Sequence, residues 1–320
     1  MPYKILSLDG GASWAMVQAR VLQDLYDESG DLRGHELLRK FDMVVANSGG
    51  SVLLGLLCNN MSLKKIVSFY KTSSELKKVF PPLLLWERFF QHITRKLFHV
   101  GAKYSAVRKL KSLREIFISN DDLYQQNKLI TPIADTWLNE LPSVIGKNYH
   151  GADVQFVISS FDYFRQRVVF FRSNVNSKTN SFSGNFYQIT LAESIHASCN
   201  APVNYYDRPA LVSLASYKSN DPEDRYQSWY WDGAVAGFNN PVLAGVVEAI
   251  TNNADVDLHN FKILSLGTGI SRKAVVADDK SSSDPRRQRR FTVNRGKPFV
   301  QWKASFSFLK DIQKIAQSIL

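Results

Sequence analysis

Cysteine is scarce in this chain of 320 residues: Cys58 and Cys199 are the only two, both among apolar or small neighbours, and they give no disulfide framework. A reducing compartment suits that usage. Charged residues make up only 22% against 44% hydrophobic, a balance that excludes a largely disordered chain. No window holds the roughly eighteen uninterrupted apolar residues of a membrane span. The N-terminus enters a strand by Tyr3 with no basic and apolar leader, so the expectation is a cytoplasmic or peripheral membrane protein without a signal peptide or transmembrane helix. The phosphate-binding glycine patterns are missing too. The first glycine turn lacks the GxGxxG spacing, and no lysine follows it as a P-loop requires.

What is present is enough apolar and aromatic residue for a large core, in one or two domains. The net charge of +11 favours anionic partners, either a membrane surface or nucleic acid. Nucleic acid is not expected, because no recognised module or aromatic-studded basic strand accompanies the charge.

The chain is organised around Phe41-Asp42-Met43-Val44-Val45-Ala46-Asn47-Ser48-Gly49-Gly50-Ser51-Val52-Leu53-Leu54-Gly55. A short valine-rich run reads as a strand, and a helical pattern resumes after two glycines, leaving Ser48 at the apex of the turn. Small residues flank it, Ala46 two before and Gly50 two after, with Asn47 and Gly49 adjacent. This is the spacing of a nucleophile elbow, with alanine in place of the first glycine of GxSxG. Plain punctuation between strand and helix accounts for such a turn equally well.

Tyr3 to Leu8 predicts a buried strand, followed by Asp9-Gly10-Gly11-Ala12-Ser13-Trp14-Ala15 and a helix from Met16 to Tyr26. A glycine turn at a helix start clusters N–H groups that can receive a developing oxyanion. From Ser62 to Ser119 the pattern is mostly helical, interrupted by the apolar Phe80 to Phe90 segment. Flanking it are His92, Arg95, Lys96, Lys103, Arg108, Lys109 and Lys111. Two readings fit: a membrane interface or lid, or a segment plugged into the core while its lysines face water, the second being preferred. Strands follow at Val154 to Ser159 and Arg167 to Arg172, then a small-residue helix over Thr190 to Pro202. His196 in that helix reads as a packed side chain rather than a base. Trp229-Tyr230-Trp231 delivers Asp232 into a Gly233-Ala234 turn, Pro241 opens a helix to Ile250, and Phe261 to Leu266 is the last clear strand, closed by Gly267-Thr268-Gly269. Alternating strands and helices, each strand ending in a small polar turn, predict an α/β sheet with a site at the carboxyl ends of the strands.

Taken in order, Leu8-Asp9-Gly10-Gly11, the Ser48 turn, Ala197-Ser198-Cys199-Asn200-Ala201-Pro202, Asp232-Gly233-Ala234 and Leu266-Gly267-Thr268-Gly269 resemble the patatin-like phospholipase family over about residues 3 to 270. The resemblance implies an α/β three-layer sandwich, its central sheet mainly parallel with helices on both faces. It also implies a Ser48–Asp232 dyad in place of a triad, with Gly10, Gly11 and Ala12 as the oxyanion loop. Ala46, Asn47, Gly49 and Gly50 would form the elbow, and Gly233 and Ala234 the aspartate turn. No metal or organic cofactor is implied. The expected activity is phospholipase A type hydrolysis of fatty acyl esters in membrane phospholipids through an acyl-serine. Acyl transfer to another acceptor and a catalytically inactive lipid-binding or partner-binding protein are the alternatives. Ala12, Trp14 and Ala15 depart from the family pattern, which has glycine, arginine and glycine there; the oxyanion loop is expected to survive provided Ala12 keeps a negative φ.

After residue 270 the character changes. Ser271 to Asp284 is polar, Arg286-Arg287-Gln288-Arg289-Arg290 and Arg295 form a basic cluster suited to anionic lipid, and Gln301 to Leu320 has the spacing of an amphipathic helix. The division expected is a catalytic domain over 1–270 and an appended or docked segment over 271–320.

Overall fold

The computed structural model describes residues 2–84, 86–87, 101–126, 128–179, 187–203, 205–216, 225–253 and 258–269. Eight strands form one mixed sheet: β1 Tyr3–Leu8, β2 Met43–Ala46, β3 Gln155–Asp162, β4 Arg167–Arg172, β5 Tyr187–Gln188, β6 Ala210–Ser216, β7 Arg225–Asp232 and β8 Phe261–Leu266. Their order is β5-β6-β7-β3-β2-β1-β8, with β4 also paired to β3. The block β8-β1-β2-β3 is parallel, and β7 joins it antiparallel to β3.

The helices are α1 Ala15–Tyr26, α2 Gly34–Leu38, α3 Gly49–Cys58, α4 Leu63–Lys71, α5 Ser73–Val79, α6 Ala106–Ser119, α7 Asp122–Gln125, α8 Leu141–Ile145, α9 Leu191–Ser198 and α10 Val242–Asn252. Local chemistry starts several of them. Ser62, Ser105 and Thr190 each accept a backbone N–H of the following first turn, which satisfies a donor the helix cannot.

Strand alternation divides the core between the two faces. Leu6, Leu8, Val44 and Ala46 face the large cluster under α1, α3, α4, α6 and α9, whereas Ile5, Met43, Val45 and Val157 face the smaller one with Ala249 of α10. Gly245 lets α10 lie against Val45, whose methyl a Cβ there would meet at 2.7 Å. The result is the expected three-layer arrangement, and α3 at its centre is buried along its whole length.

The expected strands and the helices after β1, β2 and β7 lie close to their expected bounds, but three readings change. The helical stretch from Ser62 to Ser119 is broken by extended segments, where Pro82 bridges Tyr104. The apolar segment does not simply plug into the core: Leu83 is buried, while Leu84 and Trp86 are 49% and 64% exposed. Lys109, expected to face water, is fully buried because it occupies the apolar stripe Ala106, Lys109, Leu113, Ile116 of α6. His92, Arg95, Lys96, the Arg286–Arg290 cluster and the amphipathic stretch 301–320 lie outside the described residues.

Candidate active site

Register alone brings Ser48 and Asp232 level. Leu8 pairs with Ala46 and Ala46 with Ile158, so Ser48, two residues on, stands level with Ser160, the partner of Asp232 on the far side of β3. One strand separates the two backbones, about 10 Å at ordinary strand spacing, and the side chains close that gap.

Ser48 sits at φ 49° and ψ −120°, a conformation that costs on the order of 1–3 kcal/mol for a residue with a Cβ. The following glycines explain how the turn holds. A Cβ on Gly49 would run into the backbone of Ala12, and one on Gly50 into the carbonyl of Leu8, so α3 begins pressed against the loop after β1. The Ser48 N–H donates to Ser198 Oγ at 2.9 Å, and Ser51 Oγ donates to the Ser48 carbonyl at 2.6 Å. Ala46 is fully buried at the end of β2.

The Ser48 side chain lies beside the Asp232 carboxylate, and the two line one cavity. Asp232 Oδ1 accepts the Ala234 N–H at 2.9 Å and Asn47 Nδ2 at 3.1 Å. Asn47 Oδ1 in turn accepts Ser159 Oγ at 2.7 Å. Gly233 leaves room for this link, since a Cβ there would meet Ser159 Oγ at 2.7 Å. Asp232 is 1% exposed, and burial raises its pKa above the ordinary aspartate value; the neighbouring Ser48 hydroxyl, the bonds from Ala234 and Asn47, and the charge of Lys109 pull against that rise.

The three loop residues after β1 divide in role. The Gly10 N–H donates to the Asn239 carbonyl at 2.8 Å, and the Gly10 carbonyl accepts Thr268 Oγ1 at 2.9 Å, so Gly10 ties the loop down rather than offering its amide to a ligand. Gly11 and Ala12 open a single helical turn, where N–H groups have no acceptor within the turn, and both line the cavity beside Ser48. Ala12 has φ 50°, not the negative value expected, because the chain must turn back over Gly49 at that point.

The cavity encloses about 310 Å³. Ser48 and Asp232 line it together with Trp14, Phe80, Tyr104, Tyr205 and Tyr206, which make its lining largely aromatic. His196 does not line it. That ring is buried in α9 with Nδ1 unpartnered, and burial holds its pKa well below the usual histidine value, as a neutral packed side chain requires. Among the described residues no cluster of three or more His, Cys, Asp or Glu side chains is placed to hold a metal.

Several residues at the site were not expected from the sequence. Ser198 anchors the Ser48 N–H, and the Asn200 carbonyl accepts the Asp232 N–H at 3.1 Å. Both belong to the Ala197–Pro202 stretch, so that motif marks a support for the turn. Lys109 had a readable signal in its stripe position, which its charge obscured.

A family model described as patatin-like phospholipase matches residues 6–246. The chain belongs to the patatin-like phospholipase family. The patatin-like fold accounts for the mixed sheet, with its parallel block β8-β1-β2-β3 and helices on both faces. Solved structures similar to this one include the type III effector ExoU of Pseudomonas aeruginosa, with TM-score 0.33, 12% identity, and 62% of this chain covered against 40% of that one. VipD from Legionella pneumophila has TM-score 0.34 and 12% identity, covering 82% and 49%, and human GIVD cytosolic phospholipase A2 has 0.25 and 14%, covering 59% and 22%. The chain thus spans less than half the length of each. No curated protein sequence matches it.

Proposed function

We propose that this patatin-like chain is a lipid acyl hydrolase of the phospholipase A type, working through Ser48 and Asp232. The observation that carries the reading is the placement of the Ser48 side chain beside a carboxylate whose Oδ1 is already held by Asn47 and Ala234, with both groups opening on one cavity. In that arrangement Asp232 takes the hydroxyl proton as Ser48 Oγ attacks an ester carbonyl. The carbonyl oxygen gains negative charge, which the Gly11 and Ala12 amides at the turn receive. Collapse expels the lyso-product alkoxide, which leaves with the proton from Asp232, and the fatty acyl group stays on Ser48. Water then attacks, giving its proton to Asp232; the acid leaves and Ser48 recovers its proton. A positioned base contributes about a hundredfold to ten-thousandfold, and each oxyanion donor about a hundredfold to a thousandfold.

The aromatic walls suit an acyl chain, and the rim suits a lipid surface. Trp14 is 60% exposed and Tyr205 37%, and backbone bonds from Leu83 to Lys103 and from Lys103 to Tyr205 join that rim to exposed Leu84 and Trp86. The Lys103 ammonium stands 5.8 Å over the Tyr205 ring. Tryptophan and tyrosine beside lysine is the composition of an interfacial surface. Among the described residues no helix is long and apolar enough to cross a membrane.

The test is fatty acid release from vesicles of mixed zwitterionic and anionic phospholipid. Release that disappears in Ser48→Ala and in Asp232→Asn, both with native circular dichroism, supports the reading. Vesicle binding with no release from the native chain, with or without added cell extract as a source of activator, would replace it with a binding role. Product seen only with an added alcohol or lysolipid would replace it with acyl transfer.

A further inference from the structure

Lys109 is among the largest fully buried side chains of the described residues, and it is the charged one. Its ammonium donates to the His196 carbonyl at 2.9 Å and to Asn200 Oδ1 at 2.8 Å, and lies 4.0 Å from the centroid of the Tyr206 ring. Both acceptors and the π face are uncharged. Burying an ammonium with no carboxylate in direct contact is costly, and an apolar residue in the stripe would pack the same helix without that cost.

The carboxylates whose fields reach Lys109 are Asp232 and Asp207. Asp207 already has a cation, since its Oδ2 accepts Arg208 Nε at 3.0 Å while its Oδ1 caps the Ala106 N–H. Asp232 is held by neutral donors, and Lys109 is the cation among the groups acting on it. A second link is mechanical: Lys109 grips Asn200 through Oδ1, Asn200 Nδ2 donates to the Arg208 carbonyl at 2.8 Å, and the Asn200 carbonyl holds the Asp232 N–H.

We propose that Lys109 is the buried counter-charge and positioning residue of the Ser48–Asp232 pair, keeping the Asp232 carboxylate ionised and, through Asn200, fixing the backbone from which it projects. This rests on Asp232 acting as a base, as set out above. The titratable groups facing Lys109 are Cys199 and His196 on and beside α9, Tyr206 and Asp207 on the following loop, and Asp232 at the end of β7; Arg114 of its own helix acts on His196. Burial raises the Cys199 and Tyr206 pKa values and lowers that of His196, so all three are neutral near pH 7, and Asp232 is the anion left to answer the ammonium. Burial also draws Lys109 itself down to about 8, which leaves it mostly charged at neutral pH.

The experiment measures kcat/KM against pH on a soluble short-chain ester. Lys109→Met keeps the stem and removes the charge, and its acid limb is expected to move up by about one pH unit with KM little changed. Lys109→Arg, which keeps the charge, is expected to hold the native acid limb even where its rate is lower. A folded Lys109→Met protein with the native acid limb overturns the proposal. If that variant does not fold, the native chain carries the test through carbon-13 at the Asp232 carboxyl, assigned by its loss in Asp232→Asn. A second inflection near pH 8, as Lys109 loses its proton, supports the coupling, and a resonance that follows only its own proton overturns it. Because the resonance needs no turnover, a chain that fails to hydrolyse lipid defeats the hydrolase reading and still decides the coupling.

Discussion

Asn47 Nδ2 lies 3.1 Å from Asp232 Oδ1, although the two residues are 185 positions apart, and the same amide accepts Ser159 Oγ through its oxygen. The residue next to the serine therefore ties the serine turn, the middle strand and the aspartate turn together. Asn47 is fully buried, so removing its amide leaves both partners short of a bond, at about 1–3 kcal/mol. Asn47→Ala is expected to lower kcat/KM on a soluble ester by about 10-fold to 100-fold, at about 1.4 kcal/mol per tenfold, and to lower Tm. An Asn47→Ala enzyme with native turnover would show that Asp232 is held well enough without it.

Ala12 has the backbone of a glycine and the side chain of an alanine. At φ 50° its Cβ costs roughly 1–2 kcal/mol, and glycine there recovers this minus about 0.5–1 kcal/mol of chain entropy. Ala12→Gly is therefore expected to be about 0.5–1 kcal/mol more stable in urea unfolding, while Ala12→Val loses stability and ester turnover together. Equal stability of the alanine and glycine proteins would mean that the turn relaxes to a negative φ in solution.

What was legible in the sequence was local. The β1 turn, the Ser48 turn and the Asp232 turn each lie where apolar strand spacing stops and small residues begin, and β1, β4 and β8 fall on their expected bounds. Pairing across long separations was not legible: β6 is a short run of small and apolar residues with no period to separate it from a loop, and nothing local says that β7 approaches β3 from the opposite direction. Backbone commitments were equally hidden. That Gly10 gives its N–H to Asn239, or that Ala12 takes a positive φ, follows from contacts between loops more than two hundred residues apart or across the start of α3. Lys109 misled for a different reason, since charge argued for solvent while helical position argued for the core, and position prevailed.

Leu84 and Trp86 are exposed on the rim without lining the cavity. If the rim meets lipid, moving them out of water contributes about 1.5–3 kcal/mol per large side chain. Leu84→Ser and Trp86→Ser are each expected to weaken sedimentation with phospholipid vesicles by about tenfold or more, leaving turnover of a soluble ester at the native level. Native vesicle partitioning in the double variant would remove this rim from the lipid contact.

Asp9 makes stability depend on pH in the direction opposite to most carboxylates. Its Oδ1 is buried with no partner, and desolvation pushes its pKa up to about 6, with the neighbouring Asn240 opposing the rise. The unfolded chain has an ordinary aspartate near 3.9. Between those two values the native state binds more protons than the unfolded one, so stability falls as pH rises through about 4 to 6, and above about 7 the whole penalty is present. The full shift would amount to about 3 kcal/mol, but the side chain is half-buried and screened by solvent, which reduces the expected cost to about 1 kcal/mol. Asn has the same shape and no charge to desolvate, so Asp9→Asn is expected to match the native chain in urea unfolding at pH 4 and to exceed it by about 1 kcal/mol at pH 7. A difference that stays constant across that range would mean that Asp9 is solvated in the folded state and that its loop opens more widely than the Gly10 bonds to Asn239 and Thr268 allow.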